Sequence, residues 1–152
     1  MQMTIITVGR MKKGQEAKQI TTYLSRCPWP VTLIEVEEKR PIKGTERMAR
    51  EGDLILKNIP GAAYVIALDE RGKALRSTDF SQLIQGQQDR GTAHLIFLIG
   101  GADGYAPKVT ARANALLSLS LMTWPHMMVR LMLAEQLYRA SCILSGHPYH
   151  KD

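Results

Sequence analysis

Five consecutive apolar residues, Leu95 to Ile99, run without a polar break into a pair of glycines, Gly100 and Gly101. A strand that is apolar on both faces must be covered on both faces, which is the situation of an inner strand in a parallel sheet. Parallel strands are usually joined by helices that cross from one edge of the sheet to the other. The run therefore predicts an α/β fold with helices on both sides of a sheet.

Strand patterns and helix patterns alternate along the chain, and prolines and glycines separate them. The predicted strands are Thr4–Val8, Val31–Val36, Tyr64–Leu68, His94–Ile99 and Leu116–Thr123. The predicted helices are Gly14–Ser25, Glu46–Ile59, a helix capped by Ser77 or Thr78, a stretch from Gly104 to about Ala115, and His126 to about Leu144. Five β–α units in order predict one domain over residues 1–152 with a mostly parallel sheet and helices on both faces.

Composition excludes several classes of protein. The chain has 152 residues, of which 45% are hydrophobic, so one globular domain is expected and disorder is not. No apolar run approaches the ~20 residues that cross a bilayer, so we expect no contact with a membrane. The 2 cysteines and 4 histidines lack metal-like spacing. We therefore expect no metal site, no disulfide framework and a reducing cytoplasmic location.

Positive charge is concentrated early in the chain, within a formal net charge of +6. Five basic residues surround a predicted loop and helix start: Lys39, Arg40, Lys43, Arg47 and Arg50. The pattern fits a solvated helix face and fits equally well a surface that meets nucleic-acid phosphates. Because only 6% of the residues are aromatic, a platform for stacking unpaired bases is not indicated.

The last predicted helix is apolar around most of its circumference, so it needs cover on most sides. Its apolar residues are Met127, Met128, Leu131, Met132, Leu133, Leu137, Tyr138, Cys142, Ile143 and Leu144. We interpret the helix as a dimer interface, the alternative being burial within one chain.

Ligands of open α/β sheets bind beyond the carboxyl ends of the strands. The loops at such ends are residues 69–73, 100–104 and 123–125. The chain contains no phosphate-binding P-loop, no complete dinucleotide fingerprint and no Gly-x-Ser-x-Gly nucleophile motif. Residues for metal-dependent or covalent catalysis are therefore lacking, and a small polar ligand held by glycine-rich turns is the remaining possibility.

A second polar group of residues lies near the end of the chain. Glu135 and Arg139 are spaced four apart on the last predicted helix, and His147-Pro148-Tyr149-His150 follows that helix. On pattern alone, the first is most simply a surface ion pair and the second a frayed tail. A functional site is the alternative that the pattern leaves open.

Several segments resemble, in order, one known family. They are Ile5–Arg10, Leu68-Asp69, Ile99–Gly104, Ser118–His126, Val129-Arg130, Glu135–Ala140 and His147–His150. Together they resemble the ribosomal large subunit methyltransferase H family, the small single-domain branch of the SPOUT methyltransferases. The resemblance spans nearly the whole chain and is most specific in its C-terminal third.

This resemblance implies a C-terminal trefoil knot, a homodimer, and S-adenosylmethionine as methyl donor without a metal. It also implies methylation of N3 of a pseudouridine in 23S ribosomal RNA, with the assembled ribosome as the natural substrate. The residues that it assigns to the donor are Leu68, Gly100, Gly101, Leu119, Ser120, Leu121, Met122, Thr123 and Trp124.

The resemblance places Arg139, Tyr149 and His150 at the active site. We expect Arg139 to steady the anionic base or a phosphate, and His150 or Tyr149 to contact the base and remove the N3 proton. The tail would then close the donor pocket. The alternatives are a SPOUT methyltransferase that acts on tRNA and a non-catalytic, dimeric RNA-binding protein.

Overall fold

Ten elements alternate along the computed structural model, which describes residues 1–151; Asp152, the end of the predicted polar tail, lies outside the described residues. The strands are β1 Gln2–Val8, β2 Val31–Val36, β3 Tyr64–Ala74, β4 His94–Ile99 and β5 Ala115–Ser118. The helices are α1 Gln15–Arg26, α2 Gly44–Lys57, α3 Ser77–Asp89, α4 Pro107–Arg112 and α5 His126–Ser145.

All five strands are parallel, in the order β2-β1-β4-β3-β5. The apolar run of β4 lies in the centre, between β1 and β3, and its residues from Leu95 to Ile99 are at most 3% exposed. The prediction of an inner strand is confirmed. Because the strands are parallel, the loops that follow their carboxyl ends gather at one rim of the sheet.

Helices cover both faces of the sheet, as the sequence predicts. One core packs the sheet against α1, α3 and α5, with Phe80, Leu133 and Leu137 among its buried side chains. The other core packs the opposite face against α2 and α4, with Ile55 and Val109 buried. The α/β class and the two-sided arrangement are confirmed.

The predicted strand Leu116–Thr123 is wrong beyond Ser118, where β5 ends. The Ser118 hydroxyl donates to the Ser120 carbonyl at 2.8 Å, and the Met122 N–H donates to the Ser120 hydroxyl at 3.0 Å. These local hydrogen bonds close a turn instead of extending the ladder. Residues 119–125 therefore form a loop at the rim of the sheet, although their alternating pattern is typical of a strand.

The predicted loop at residues 69–73 lies inside β3, which continues to Ala74 across an irregularity in register between Leu68 and Lys73. Gly72 sits there against the next strand: a Cβ at this position would lie 2.6 Å from backbone atoms of Leu116 and Leu117. Only glycine allows that close approach, so the irregular segment can pair with β5 instead of leaving the sheet.

Two helix predictions also need correction. The helix cap predicted at Ser77 or Thr78 is wrong, because α3 begins at Ser77 after Arg76 and no side chain caps it. The Ser77 hydroxyl donates instead to Gln136 Oε1 on α5, at 2.8 Å. The helix after Gly104 is shorter than predicted and covers only Pro107–Arg112.

Among the described residues, no helix is both long and apolar enough to cross a membrane. Nor do residues 1–151 contain a cluster of three or more histidine, cysteine, aspartate or glutamate side chains that could hold a metal ion.

Candidate active site

A cavity of about 420 Å³ opens at the rim of the sheet, where β3, β4 and β5 end. Its wall includes every residue that the family resemblance assigns to the methyl donor except Leu121: Leu68, Gly100, Gly101, Leu119, Ser120, Met122, Thr123 and Trp124. Leu121 points away, with 96% of its surface exposed. Three separate stretches of sequence thus meet around one cavity of a size that suits a small molecule.

The glycine-rich segment 100–104 forms a tight turn in that wall, closed by a hydrogen bond of 3.1 Å from the Gly104 N–H to the Gly101 carbonyl. A side chain at Gly101 would force its neighbours to shift. A Cβ would lie 2.6 Å from Glu51 Oε2 and 3.0 Å from Val8 Cγ1. The turn is therefore pressed against the protein on one side and forms the cavity wall with its backbone on the other.

Tyr105 packs against the glycine turn and against the end of β4. Its hydroxyl donates to the Leu98 carbonyl at 2.8 Å, and its ring lies against Gly100. Burial raises the pKa of Tyr105 well above the ordinary tyrosine value, so the hydroxyl stays neutral and acts as a fixed donor. This contact holds the turn at the end of β4.

One buried polar atom of the cavity wall has no partner. Trp124 Nε1 is buried and makes no hydrogen bond within residues 1–151. A buried N–H without an acceptor costs about 1–3 kcal/mol, so an acceptor supplied by a ligand would relieve that cost. The apolar neighbours Leu68, Leu119 and Val129 add a surface that suits a flat ring.

At the mouth of the cavity, Asp69 and Arg71 form a two-point ion pair. Arg71 Nη2 lies 2.8 Å from Asp69 Oδ2, and Arg71 Nε lies 2.9 Å from Asp69 Oδ1. The hydrogen bonds from Arg71 hold the pKa of Asp69 below its usual range. Because Asp69 and Arg71 neutralise each other, this pair is suited to holding the conformation of residues 69–71 at the cavity mouth. It is poorly suited to proton transfer.

The predicted catalytic residues come together around Glu135 on α5. Glu135 Oε1 accepts from Arg139 Nη2 at 2.6 Å and from the Tyr149 hydroxyl at 3.0 Å. Arg139 Nη1 lies 3.3 Å from His150 Nδ1, and the Arg139 guanidinium stacks over the Tyr149 ring at 4.9 Å. The tail therefore folds back on α5 in an ordered cluster rather than fraying.

The electrostatics of this tail cluster (Glu135, Arg139, Tyr149 and His150) separate its members by role. The hydrogen bond to Glu135 raises the pKa of Arg139, which stays positive. Burial, assisted by hydrogen bonds, raises the pKa of Tyr149, so its hydroxyl stays protonated. Tyr149 is thus suited to donate a hydrogen bond and poorly suited to accept a proton at neutral pH.

The tail cluster and the donor cavity are neighbours but not one site within a single chain. None of Arg139, Tyr149 and His150 lines the cavity. A second cavity of about 460 Å³ lies between them: it contains Glu135 and shares residues 117–119 with the first. Val129, in the donor cavity, and Arg139 are about 15 Å apart along α5.

Sequence reasoning did not assign a role to two buried charged residues, Glu51 on α2 and Arg130 on α5, which are 3% and 1% exposed. A signal was available for Arg130, since an arginine in an otherwise apolar helix needs a partner if it faces the core. A signal was also available for Glu51. It lies on the same face of α2 as Ile55, four residues later, so its carboxylate is expected among buried apolar side chains.

A family model described as "Predicted SPOUT methyltransferase" matches residues 1–150. The chain is 48% identical over 151 residues to a protein of Paramagnetospirillum magneticum named ribosomal RNA large subunit methyltransferase H, covering 99% of both chains. It is 44% identical over 152 residues to the protein of the same name from Rhodospirillum rubrum, covering 100% of both.

Among solved structures, the fold is similar to that of a probable methylase family protein from Haemophilus influenzae, with a TM-score of 0.57. The match covers 99% of this chain and 70% of that one, at 10% sequence identity. At that identity the likeness concerns the fold alone.

Proposed function

The chain belongs to the SPOUT methyltransferase family, and on that premise we propose that it methylates large-subunit ribosomal RNA with S-adenosylmethionine as the methyl donor. The finer proposal is transfer to N3 of a pseudouridine in 23S RNA on the assembled ribosome. The observation that carries the proposal is the meeting of Leu68, the 100–104 turn and the 119–124 segment around one cavity. The trefoil knot, which the family resemblance implies, belongs to the same proposal.

The cavity fits the donor in shape and in hydrogen-bonding capacity. The buried Trp124 Nε1 offers a hydrogen bond that the protein leaves unmade, and the backbone of the Gly101 turn can approach a ligand closely. When bound, S-adenosylmethionine supplies a methyl group already activated on a sulfonium, so no covalent intermediate with the protein is needed. The protein has to hold donor and acceptor in line and exclude water.

The tail cluster supplies what the acceptor base needs. N3 of pseudouridine carries a proton, and its loss leaves negative charge on the base. Arg139 stays positive beside that charge, and the neutral Tyr149 hydroxyl can donate to a base oxygen. His150, which contacts Arg139, is left as the group that takes the N3 proton.

A second copy of the chain would bring the tail cluster to the donor cavity. The rim of the cavity exposes large apolar side chains: Leu121 is 96% exposed, Met122 69% and Met128 43%. Such a patch favours a protein interface. If α5 helices of two copies pack side by side in opposite directions, the start of one helix, at the cavity, meets the middle of the other, at Arg139.

RNA contact is proposed for the loops that follow β1 and β2. Part of the early positive charge is neutralised, because Arg40 pairs with Glu38 and Arg47 pairs with Glu51. The rim lysines, Lys12, Lys13, Lys39 and Lys43, are exposed and form no ion pair within residues 1–151. They lie at the same rim as the donor cavity, where phosphates of a bound RNA would pass.

The proposal is tested by incubating ribosomes that lack the modification with the protein and labelled donor. Nucleoside analysis of the separated RNAs should find one methylated pseudouridine in 23S RNA. Label in tRNA instead would favour the tRNA-directed alternative. Absence of heat on titration of S-adenosylmethionine would favour the non-catalytic RNA-binding alternative.

A further inference from the structure

Glu51 is a buried carboxylate that uses only one of its two oxygens for hydrogen bonding among the described residues. The residue is 3% exposed, and its Oε1 accepts from Arg47 Nε at 3.0 Å. Its Oε2 has no hydrogen-bond partner within residues 1–151. A buried oxygen without a partner costs free energy, and the cost is larger when the group is charged. The proposed reaction, as described so far, makes no use of this group.

Glu51 Oε2 lies directly behind the glycine turn of the donor cavity. Because a Cβ at Gly101 would be 2.6 Å from Glu51 Oε2, the carboxylate is in contact with the backbone at that point. On its other side, Gly101 lines the cavity. Only the backbone of Gly101 therefore separates this carboxylate from a ligand in the cavity.

Tight packing fixes the part of α2 that carries Glu51. At the next residue, Gly52, a Cβ would lie 3.0 Å from Ala106 Cβ and 3.2 Å from Val109 Cγ2. The helices α2 and α4 are thus in close contact, so the backbone that carries Glu51 cannot move away from the turn without losing this packing.

The charge of Glu51 is only partly cancelled by its partner. The Arg47 side chain is 45% exposed whereas that of Glu51 is 4% exposed, so water screens the cation far more than the anion. At the cavity mouth, Asp69 and Arg71 neutralise each other at 2.8 Å. Glu51 is therefore a weakly screened negative charge behind Gly101, and such a charge favours a positively charged occupant of the cavity.

We infer that Glu51 selects the charge of the ligand: across the Gly101 backbone, its carboxylate favours the cationic methyl donor over the neutral product. The inference rests on the proposed function, because it requires a sulfonium ligand in the cavity. In the transfer, the S–CH₃ bond breaks, its electron pair stays on sulfur, and the methyl group bonds to N3 once the N3 proton has passed to a base. The ligand loses one positive charge at that moment, so its attraction to Glu51 ends and product release is favoured.

The test compares the affinities of S-adenosylmethionine and S-adenosylhomocysteine by calorimetry, with wild type and Glu51→Gln. We expect Glu51→Gln to lower the affinity ratio of donor to product about tenfold, the order of one partly buried charge interaction, with little change for the product. The control is Asp53→Asn, which removes the same charge two residues along, at an exposed side chain paired with Lys108. It should leave the ratio unchanged.

Equal weakening of both ligands in Glu51→Gln would mean a structural role only and would overturn the inference. If that variant does not fold, Arg47→Gln decides: because the exposed Arg47 cancels little of the Glu51 charge, its removal should leave the ratio at or above the wild-type value, and a lower ratio overturns the inference. Binding of neither ligand by wild type would instead refute the proposed donor. The two failures are thereby distinguished.

Discussion

Arg130 Nη1 on α5 donates to Glu35 Oε1 on β2 at 2.8 Å, a contact that joins residues 95 positions apart. Arg130 Nη2 donates to the carbonyls of Val8 and Gly9, each at 2.8 Å. The guanidinium is 1% exposed, so it replaces water for three acceptors at the ends of β1 and β2. It thereby ties α5, which carries the tail cluster, to the rim that carries the lysines.

Arg130→Met should destabilise the fold, because the carbonyls of Val8 and Gly9 lose this donor and Glu35 loses its ion pair, although Glu35 Oε1 still accepts from the Met11 N–H at 2.7 Å. Breaking one side of a buried ion pair typically costs about 3–5 kcal/mol, and the 29% exposure of Glu35 places the expectation at the lower end. Urea unfolding followed by circular dichroism measures the loss. Arg10→Gln is the control, since its pair with Glu37 is exposed and contributes at most about 1 kcal/mol. Equal effects of the two substitutions would contradict the assigned role.

Gly101→Ala should abolish or greatly weaken donor binding while the fold survives. The new Cβ would lie 2.6 Å from Glu51 Oε2 and 3.0 Å from Val8 Cγ1, so either the turn that lines the cavity or the carboxylate behind it must shift. We expect at least a tenfold loss of affinity for S-adenosylmethionine, measured by calorimetry, with the unfolding midpoint measured in parallel. Gly86→Ala on α3 is the matched control: its Cβ would meet nothing within 4 Å, and alanine favours a helix. Undiminished binding by Gly101→Ala would remove the turn from the donor site.

Much of the architecture follows from local pattern, because strand and helix periods report which faces are buried. The β-branched segment Val31–Val36 coincides with β2, and the apolar run before Gly100 is the central strand. The turn at Ser120 could not be predicted from local pattern. The sequence alternates there as a strand does, but hydrogen bonds of the Ser118 and Ser120 side chains form a turn instead. The burial of Glu51 depends on how α2 meets a turn some 50 residues later, and no local period reports such a contact.

The sheet-rim placement of the predicted donor residues was accessible from the order of the elements, because parallel strands bring their following loops together. The assignment of a role to Tyr149 and His150 came from family resemblance, since tail residues have no periodicity to interpret. Their hydrogen bonds to Glu135 and Arg139 are long-range side-chain contacts that only the folded chain defines.

Mixed dimers should show whether one chain's tail serves the other chain's cavity. A chain lacking residues 147–152 and a Gly101→Ala chain are each expected to be inactive. When they are unfolded together and refolded, about half of the dimers are mixed and each has one intact site, giving about a quarter of the wild-type rate. Mixing without refolding is the control for exchange. No recovery, with mixed dimers shown by mass spectrometry, would place tail and cavity of one chain in the same site.

Two substitutions should separate the roles of His150 and Tyr149. Because the pKa of Tyr149 is raised, its hydroxyl is protonated throughout the assay range, and Tyr149→Phe should lower kcat without changing the shape of the pH–rate profile. His150→Ala should lower kcat about 10²-fold or more, as expected when a general base is lost. The raised pKa also makes the free energy of unfolding depend on pH. A tyrosine hydroxyl whose pKa is higher in the folded than in the unfolded state stabilises the fold below about pH 10, and this stabilisation is lost as the pH rises further. The stability difference between wild type and Tyr149→Phe should therefore shrink above pH 10, and a constant difference would contradict the assigned pKa shift.

The rim lysines should account for part of the salt dependence of RNA binding. A protein that neutralises phosphates releases counterions, so the logarithm of affinity falls linearly with the logarithm of salt concentration, by about 0.7–0.9 per phosphate contact. Lys12→Gln combined with Lys13→Gln should therefore reduce the slope by about 1 to 2 and weaken binding to 23S RNA while donor affinity is retained. The matched control combines Lys57→Gln, at the end of α2, with Arg90→Gln, just after α3. Both positions precede strands that start at the opposite rim, so the same loss of charge should leave the slope nearly unchanged. Equal slopes for the two double variants would mean that only the overall charge matters, and the RNA would then have to meet another surface of the protein.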